Sequence, residues 1–151
     1  MRVVERDRQL MELALDSARV SDHDDIPVGA VVVCGDEVLA TASNQRSGGT
    51  DPTAHAEVVA LRNAGLRRGS WRLDDCELFV TLEPCPMCAG AAVAARLRRI
   101  VFGAWNDQYG ACGSVFDIPR DRRLPHRSEV VGGVLADEAG TLVRRFLAQR
   151  R

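Results

Sequence analysis

The chain is 151 residues long, 46% apolar and 27% charged, with 20 arginines, no lysine and 21 acidic residues. That length fits a single domain over residues 1–151 with room for a packed core, and the composition is that of an ordinary globular protein. No run approaches the ~18 apolar residues of a membrane span. The start of the chain, with Arg2, Glu5, Arg6, Asp7 and Arg8, has no apolar core of a secretory peptide. Five cysteines, an odd number, argue for a reducing cytosol rather than a disulfide scaffold. The net charge of −1 is uneven: residues 1–89 hold 9 Arg and 15 Asp+Glu (−6), residues 90–151 hold 11 Arg and 6 Asp+Glu (+5). The basic half permits a polyanionic partner, although a GC-rich genome is the simpler origin of the all-arginine usage.

Residues 6–20 place Leu10, Leu13, Ala14 and Ala18 at helical spacing, which predicts an amphipathic first helix. A polar break over 21–25 follows. Residues 28–34 are short and β-branched, Gly35 and Asp36 form a turn, and residues 37–43 complete a hairpin. Residues 44–53 form a loop rich in Gly, Ser and Asp. Pro52 and Thr53 then introduce a second helix that carries His55 and Glu57 on its first turn and ends over 65–69. The apolar strand at 77–82 leads straight into Pro84 and Cys85. An alanine-rich third helix runs over 89–97, a strand over 100–103, a glycine-containing loop over 104–114, a last strand over 130–135 and a terminal helix over 138–150. Alternating β and α elements predict a three-layer α/β/α sandwich, with a mixed sheet because of the opening hairpin.

The chemistry concentrates in two stretches, His55-Ala56-Glu57 and Pro84-Cys85-Pro86-Met87-Cys88. Zinc takes imidazole nitrogen and thiolate sulfur in a tetrahedron, and a catalytic site keeps one position for water. His55, Cys85 and Cys88 supply three ligands. Pro84 suits a chain entering a helix, whose N-terminus favours thiolate over thiol. Two thiolates cancel the charge of the ion, so the water it holds is acidified less than by three histidines, and a nearby base is needed. Glu57, two residues past the histidine, is read as that proton shuttle. The plainer alternative is a structural zinc site with Cys34, Cys76 or Cys112 as fourth ligand. The His-x-Glu…Pro-Cys-x-x-Cys combination argues against it, being a signature of zinc deaminases of nucleobases. Cys34, Cys76 and Cys112 then read as small buried hydrophobes.

The chain resembles the bacterial tRNA-specific adenosine deaminases, within the cytidine deaminase-like superfamily, from about residue 9 to its end. The resemblance is carried by Pro27 to Val31, Asn44, Asp51 to Glu57, Thr81 to Ala91, Val101 to Ala104, Gly110, Ala111, Gly113, Ser114, His126, Arg127, Gly133 to Glu138 and Phe146. It implies a five-stranded mixed sheet flanked by helices, one zinc ion per subunit, a homodimer in the cytoplasm, and conversion of adenosine to inosine at the wobble position of a tRNA anticodon stem-loop. It also implies that Asn44 contacts the base, that the backbone of Ala56 meets it, and that Asn106 or Asp107 takes a place near the ribose; the plainer reading of Asn106 is that it shapes a turn. For Asn44 the plainer reading is a turn asparagine bonded to backbone. Departures from the family pattern gather on the expected RNA side: Asn106 where an aspartate is usual, Gln108 for a lysine, Pro125 for an asparagine. The third helix and part of the 104–114 loop are expected near the subunit interface. Two other functions compete. One is a deaminase of free guanine, cytosine or a nucleoside; Arg120, Arg122, Arg123 and Arg127 favour RNA. The other is a non-catalytic zinc-binding subunit, against which the intact Glu57 argues.

Overall fold

The computed structural model describes residues 2–21 and 24–150, so residues 22 and 23 of the expected polar break lie outside the described part. The elements are α1 (Arg2–Arg19), β1 (Gly29–Cys34), β2 (Glu37–Ser43), α2 (Ala56–Arg68), β3 (Cys76–Leu82), α3 (Pro86–Ala94), β4 (Arg99–Ala104), β5 (Glu129–Val131) and α4 (Ala136–Gln149). The sheet order is β2-β1-β3-β4-β5. β1 is antiparallel to both β2 and β3, whereas β3, β4 and β5 run parallel. This is the expected five-stranded mixed sheet.

Period-two alternation sorts the strands into two cores. Ala30, Val32, Leu78, Val80, Ile100 and Phe102 face α2 and α3 and pack with Val59, Ala60, Ala89 and Ala92. Val31, Val33, Phe79 and Val101 face the other way and pack with Met11, Ala14 and Leu15 of α1 and Ala139 of α4. Phe79 and Phe102 are fully buried, and each contributes ~1.5–3 kcal/mol of transfer free energy. At Gly29 a Cβ would lie 1.9 Å from the carbonyl oxygen of Ala14, so the backbone of α1 rests directly on the sheet there.

Several bounds differ from expectation, α1 for example starting at Arg2 and α4 at Ala136, and three of the differences have a local reason. α3 begins at Pro86 and stops at Ala94, not 97. Proline fits the first helical position, and Arg96 takes a left-handed conformation (φ 64°) that ends the helix. β5 has only three residues because Gly132 and Gly133 (φ 88°) turn the chain out of the sheet. α2 begins one residue later than expected, which puts His55 at its N-cap.

The start of β3 is an ionic knot. The buried carboxylate of Glu77 receives Arg6 at 2.8 Å, Arg98 at 2.9 Å and Arg99 at 3.0 Å, and Arg99 also pairs with Asp7 at 2.6 Å. The other end of β3 leads into the candidate site.

Candidate active site

The C-terminal ends of parallel strands, where helices begin, are where open α/β sheets place ligands. Here β3 ends at Leu82, and Glu83 and Pro84 carry the chain to Cys85, the N-cap of α3, which is extended (φ −72°, ψ 173°). His55 is the N-cap of α2, also extended (φ −68°, ψ 152°). Neither side chain caps its own helix. Both are therefore free to face each other across the gap between the helix ends, where the exposed N–H groups favour anionic sulfur.

His55 Nδ1 lies 3.6 Å from Cys85 Sγ and 3.4 Å from Cys88 Sγ. All three donor atoms fall within 4.8 Å of one another. A tetrahedral ion with Zn–S of ~2.3 Å and Zn–N of ~2.0–2.1 Å places nitrogen and sulfur ligands ~3.6 Å apart, so the residues fit zinc without rearrangement. The three groups share protons unevenly. The Cys85 thiol is drawn down to about 4 by hydrogen bonds from Cys88 and then His55, while Cys88, bonded to Cys85 and buried, is pushed up. His55 is raised by the same bond to Cys85.

The fourth cysteine ligand of a structural site is missing among the described residues. Cys112 is buried and stands outside the three-donor group, and Cys34 and Cys76 sit together with Asp75 at the opposite end of β3. Cys34 is not the buried hydrophobe expected: it is half-buried and its thiol donates to Asp75 at 3.0 Å.

Glu57, on the first turn of α2, is 4% exposed. Burial raises its carboxyl to about 7, and the Cys88 thiol is a hydrogen-bond partner. His55, Glu57 and Cys85 line a cavity of about 350 Å³ together with Val28, Asn44, Arg46, Leu82, Glu83, Asn106 and Tyr109. That volume lies in the range of small-ligand pockets.

Asn44 links the cavity wall to α2. Its Oδ1 accepts the Ala56 N–H at 2.8 Å, and its Nδ2 donates to the Ile26 carbonyl at 2.9 Å. An amide has two N–H donors, so one remains for a ligand. Ala56 is fully buried, and its N–H is already used by Asn44. Asn106 builds a turn: its Oδ1 accepts from the N–H groups of Gln108 (3.2 Å) and Tyr109 (3.1 Å). Those two bonds fix Nδ2 as the outward group. Asp107 is exposed and stands off the cavity wall.

One organising residue escaped the sequence reading. Glu83 is 1% exposed, and its carboxylate accepts from the N–H groups of Asn106, Cys112 and Ser114, each at 3.0 Å, and from the Ser114 hydroxyl. It pins the 106–114 loop beside the His55, Cys85 and Cys88 group. The only sequence signal was an acid placed between an apolar strand and Pro84.

Residues 4–104 match the family model of the cytidine and deoxycytidylate deaminase zinc-binding region. The chain belongs to this zinc-binding deaminase family. As a family member it is a hydrolytic enzyme with a zinc cofactor, and the His55, Cys85 and Cys88 group is able to hold the ion. The deaminase is 38% identical over 142 residues to a tRNA-specific adenosine deaminase of Bacillus subtilis, a match covering 94% of this chain and 88% of the relative. A solved structure described as a study of A-to-I editing by tRNA:A34 deaminases superposes with a TM-score of 0.85 at 38% identity, covering 89% of this chain and 98% of that one. A guanine deaminase from Nitrosomonas europaea superposes with a TM-score of 0.73 at 28% identity, covering 96% and 84%. Among the described residues, no helix is long and apolar enough to cross a membrane.

Proposed function

We propose that the protein converts adenosine to inosine at the wobble position of a tRNA anticodon, using one zinc ion per subunit. The carrying observation is that His55, Cys85 and Cys88 gather in one donor group, and that His55 and Cys85 line a cavity of nucleoside size together with the buried Glu57. The substrate reading is supported by the tRNA-specific adenosine deaminase of B. subtilis, which aligns over nearly the whole chain.

His55 Nδ1 and the two sulfurs would hold the zinc, which when bound supplies a Lewis acid that acidifies water. Glu57 does the proton work. Its carboxylate, buried beside the His55, Cys85 and Cys88 group, takes a proton from the attacking water and gives it to the purine ring nitrogen. The net reaction adds water at C6 of adenine and releases ammonia. The remaining Nδ2 proton of Asn44 is offered to an acceptor on the base edge. The target must leave the stack of its loop to enter the cavity, which suits a single-stranded anticodon.

The same reading makes the protein a cytoplasmic homodimer. Its five cysteines are all unpaired, as a reducing compartment requires. An apolar groove of about 800 Å³ between α2 and α3, lined by Val58, Leu61, Leu66, Trp71, Ala91 and Ala94, offers a face for a second copy.

The test offers zinc-loaded protein an anticodon stem-loop with a wobble adenosine, and separately free guanine, cytosine and adenosine. Inosine in the RNA, with little turnover of the free compounds, is the expected result. Turnover of guanine with none of the RNA would transfer the site to free-base chemistry.

A further inference from the structure

We propose that Tyr109 is a specificity-determining residue: its ring stacks on the base of the nucleotide adjoining the target adenosine. The proposal rests on the tRNA reading above and deepens it. Three observations meet at this residue.

Tyr109 lines the active-site cavity, yet it is 64% exposed. Among the described residues its side chain has no aromatic, guanidinium or hydrogen-bonding partner. Trp105 shows the contrast, for its ring packs edge-on against Phe102 at 4.7 Å. A large ring with an apolar face and a polar tip, left largely exposed at the mouth of a site, is suited to binding.

The ring is exposed, but its mounting is fixed. The Tyr109 N–H donates to Asn106 Oδ1, and the Gly110 N–H donates to the Asn106 carbonyl at 2.8 Å. The Asn106 N–H is held in turn by Glu83. A Cβ on Gly110 would lie 2.4 Å from Glu83 Cδ, so the turn is pressed onto that buried carboxylate. Stacking on such a support costs little ordering of the backbone.

The cavity decides which base the ring meets. Its volume of about 350 Å³ has room for one base with its ribose, and the reacting groups, with Glu57 4% exposed, lie at its depth. A ring at the rim therefore faces the next nucleotide. Arg46, exposed on the β2–α2 loop and lining the same cavity, offers its charge to the intervening phosphate. A free base or nucleoside has neither group, so this contact adds binding for a polymer alone. Aromatic stacking tolerates any base because each has a π face.

The experiment measures kcat and KM of the full-length, zinc-loaded protein on anticodon stem-loop RNAs. Wild type, Tyr109→Ala and Tyr109→Phe are crossed with substrates that are abasic at the nucleotide 5′ or 3′ of the target. Zinc content and circular dichroism are followed throughout. Tyr109→Ala is expected to lower kcat/KM about tenfold, chiefly through KM, as for the loss of one stacked base. Tyr109→Phe should recover most of that loss. Removing the base at one of the two neighbours should cost the wild type a similar factor and cost Tyr109→Ala nothing more, since both changes delete one contact. Independent, multiplicative losses at both neighbours would overturn the proposal. So would an unchanged Tyr109→Ala, or a Phe variant as poor as Ala. If the wild type makes no inosine in RNA, the tRNA reading falls together with this proposal. If it makes inosine and is indifferent to Tyr109, only this proposal falls.

Discussion

The two ends of β3 each gather three donors of the kind that hold metals, and they come to opposite states. At its C-terminal end His55, Cys85 and Cys88 converge; at its start Cys34, Asp75 and Cys76 do. The first group lies at two helix N-termini, and Cys85 is drawn down to about 4 by hydrogen bonds from Cys88 and then His55. The second already holds a cation. Arg68 binds Asp75 through both nitrogens, at 2.5 and 2.7 Å, and reaches Cys76 Sγ at 3.0 Å. In the first group one thiol is drawn down and the other, Cys88, is pushed up; in the second both rise, Cys34 through its hydrogen bond to Asp75 and Cys76, to about 12, through burial. Donor type and proximity therefore do not make a metal site. What decides is whether the surroundings supply positive potential for thiolates while leaving room for the ion, or fill the place with a guanidinium.

The largest expected effect follows from this contrast. Cys85→Ser or Cys88→Ser should abolish stoichiometric zinc and lower the melting temperature, on the order of 10 °C, because the ion joins two helix ends and its binding is partly folding energy. Cys34→Ala, Cys76→Ala and Cys112→Ala should each keep one zinc per chain. Metal analysis with thermal melts on the five variants checks this, and an unchanged melting temperature after zinc is stripped would count against the coupling.

The start of β3 should instead control acid stability. Burial alone would raise Glu77, but hydrogen bonds from Arg6 and Arg99, with the charges of Arg6 and Arg98, hold it below the ordinary glutamate value. The stabilisation is therefore complete above the unfolded value of about 4.3 and is lost as the pH falls through the lower folded value. Melting temperature should drop steeply below about pH 4 in the wild type. Glu77→Gln should cost about 3 kcal/mol at neutral pH, leaving buried Arg99 short of a partner, and should flatten that acid limb. Denaturant unfolding from about pH 3 to about pH 7, which brackets the ordinary glutamate value, separates the two curves.

How much of this was legible in the sequence differs along the chain. The sheet, the helix order and the meeting of His55, Cys85 and Cys88 were legible because periodicity and the His-x-Glu and Pro-Cys-x-x-Cys spacings are local. The helix starts were one or more residues off because His55 and Cys85 are N-caps with no side-chain capping bond, so the usual capping chemistry gave no signal. Glu83 was invisible in its role, since its partners are backbone and hydroxyl groups 23 to 31 residues away. The pairing of Cys34 with Cys76 needed the register of β1 on β3, where they stand opposite each other.

The smallest expected effect belongs to Asn106. Its Oδ1 is spent on the turn, so the outward group is the Nδ2 donor. Asn106→Asp keeps the turn and presents a charged acceptor there, suited to a ribose 2′-hydroxyl. A charged hydrogen bond is worth ~1.5–3 kcal/mol against ~1 for a neutral one, so preference for RNA over a matched DNA hairpin should rise about tenfold. Equal kcat/KM ratios for the two proteins would refute the assignment.

The central claim is a division of labour: His55, Cys85 and Cys88 hold the ion, and Glu57 moves the proton. It is tested most directly by measuring zinc content and inosine formation on the same preparation of Glu57→Ala. The account predicts one zinc per chain, an unchanged fold, and a rate lowered at least about 10²-fold, the lower bound for loss of a general acid–base group. Loss of the metal together with the activity, or activity retained without the carboxylate, would contradict it.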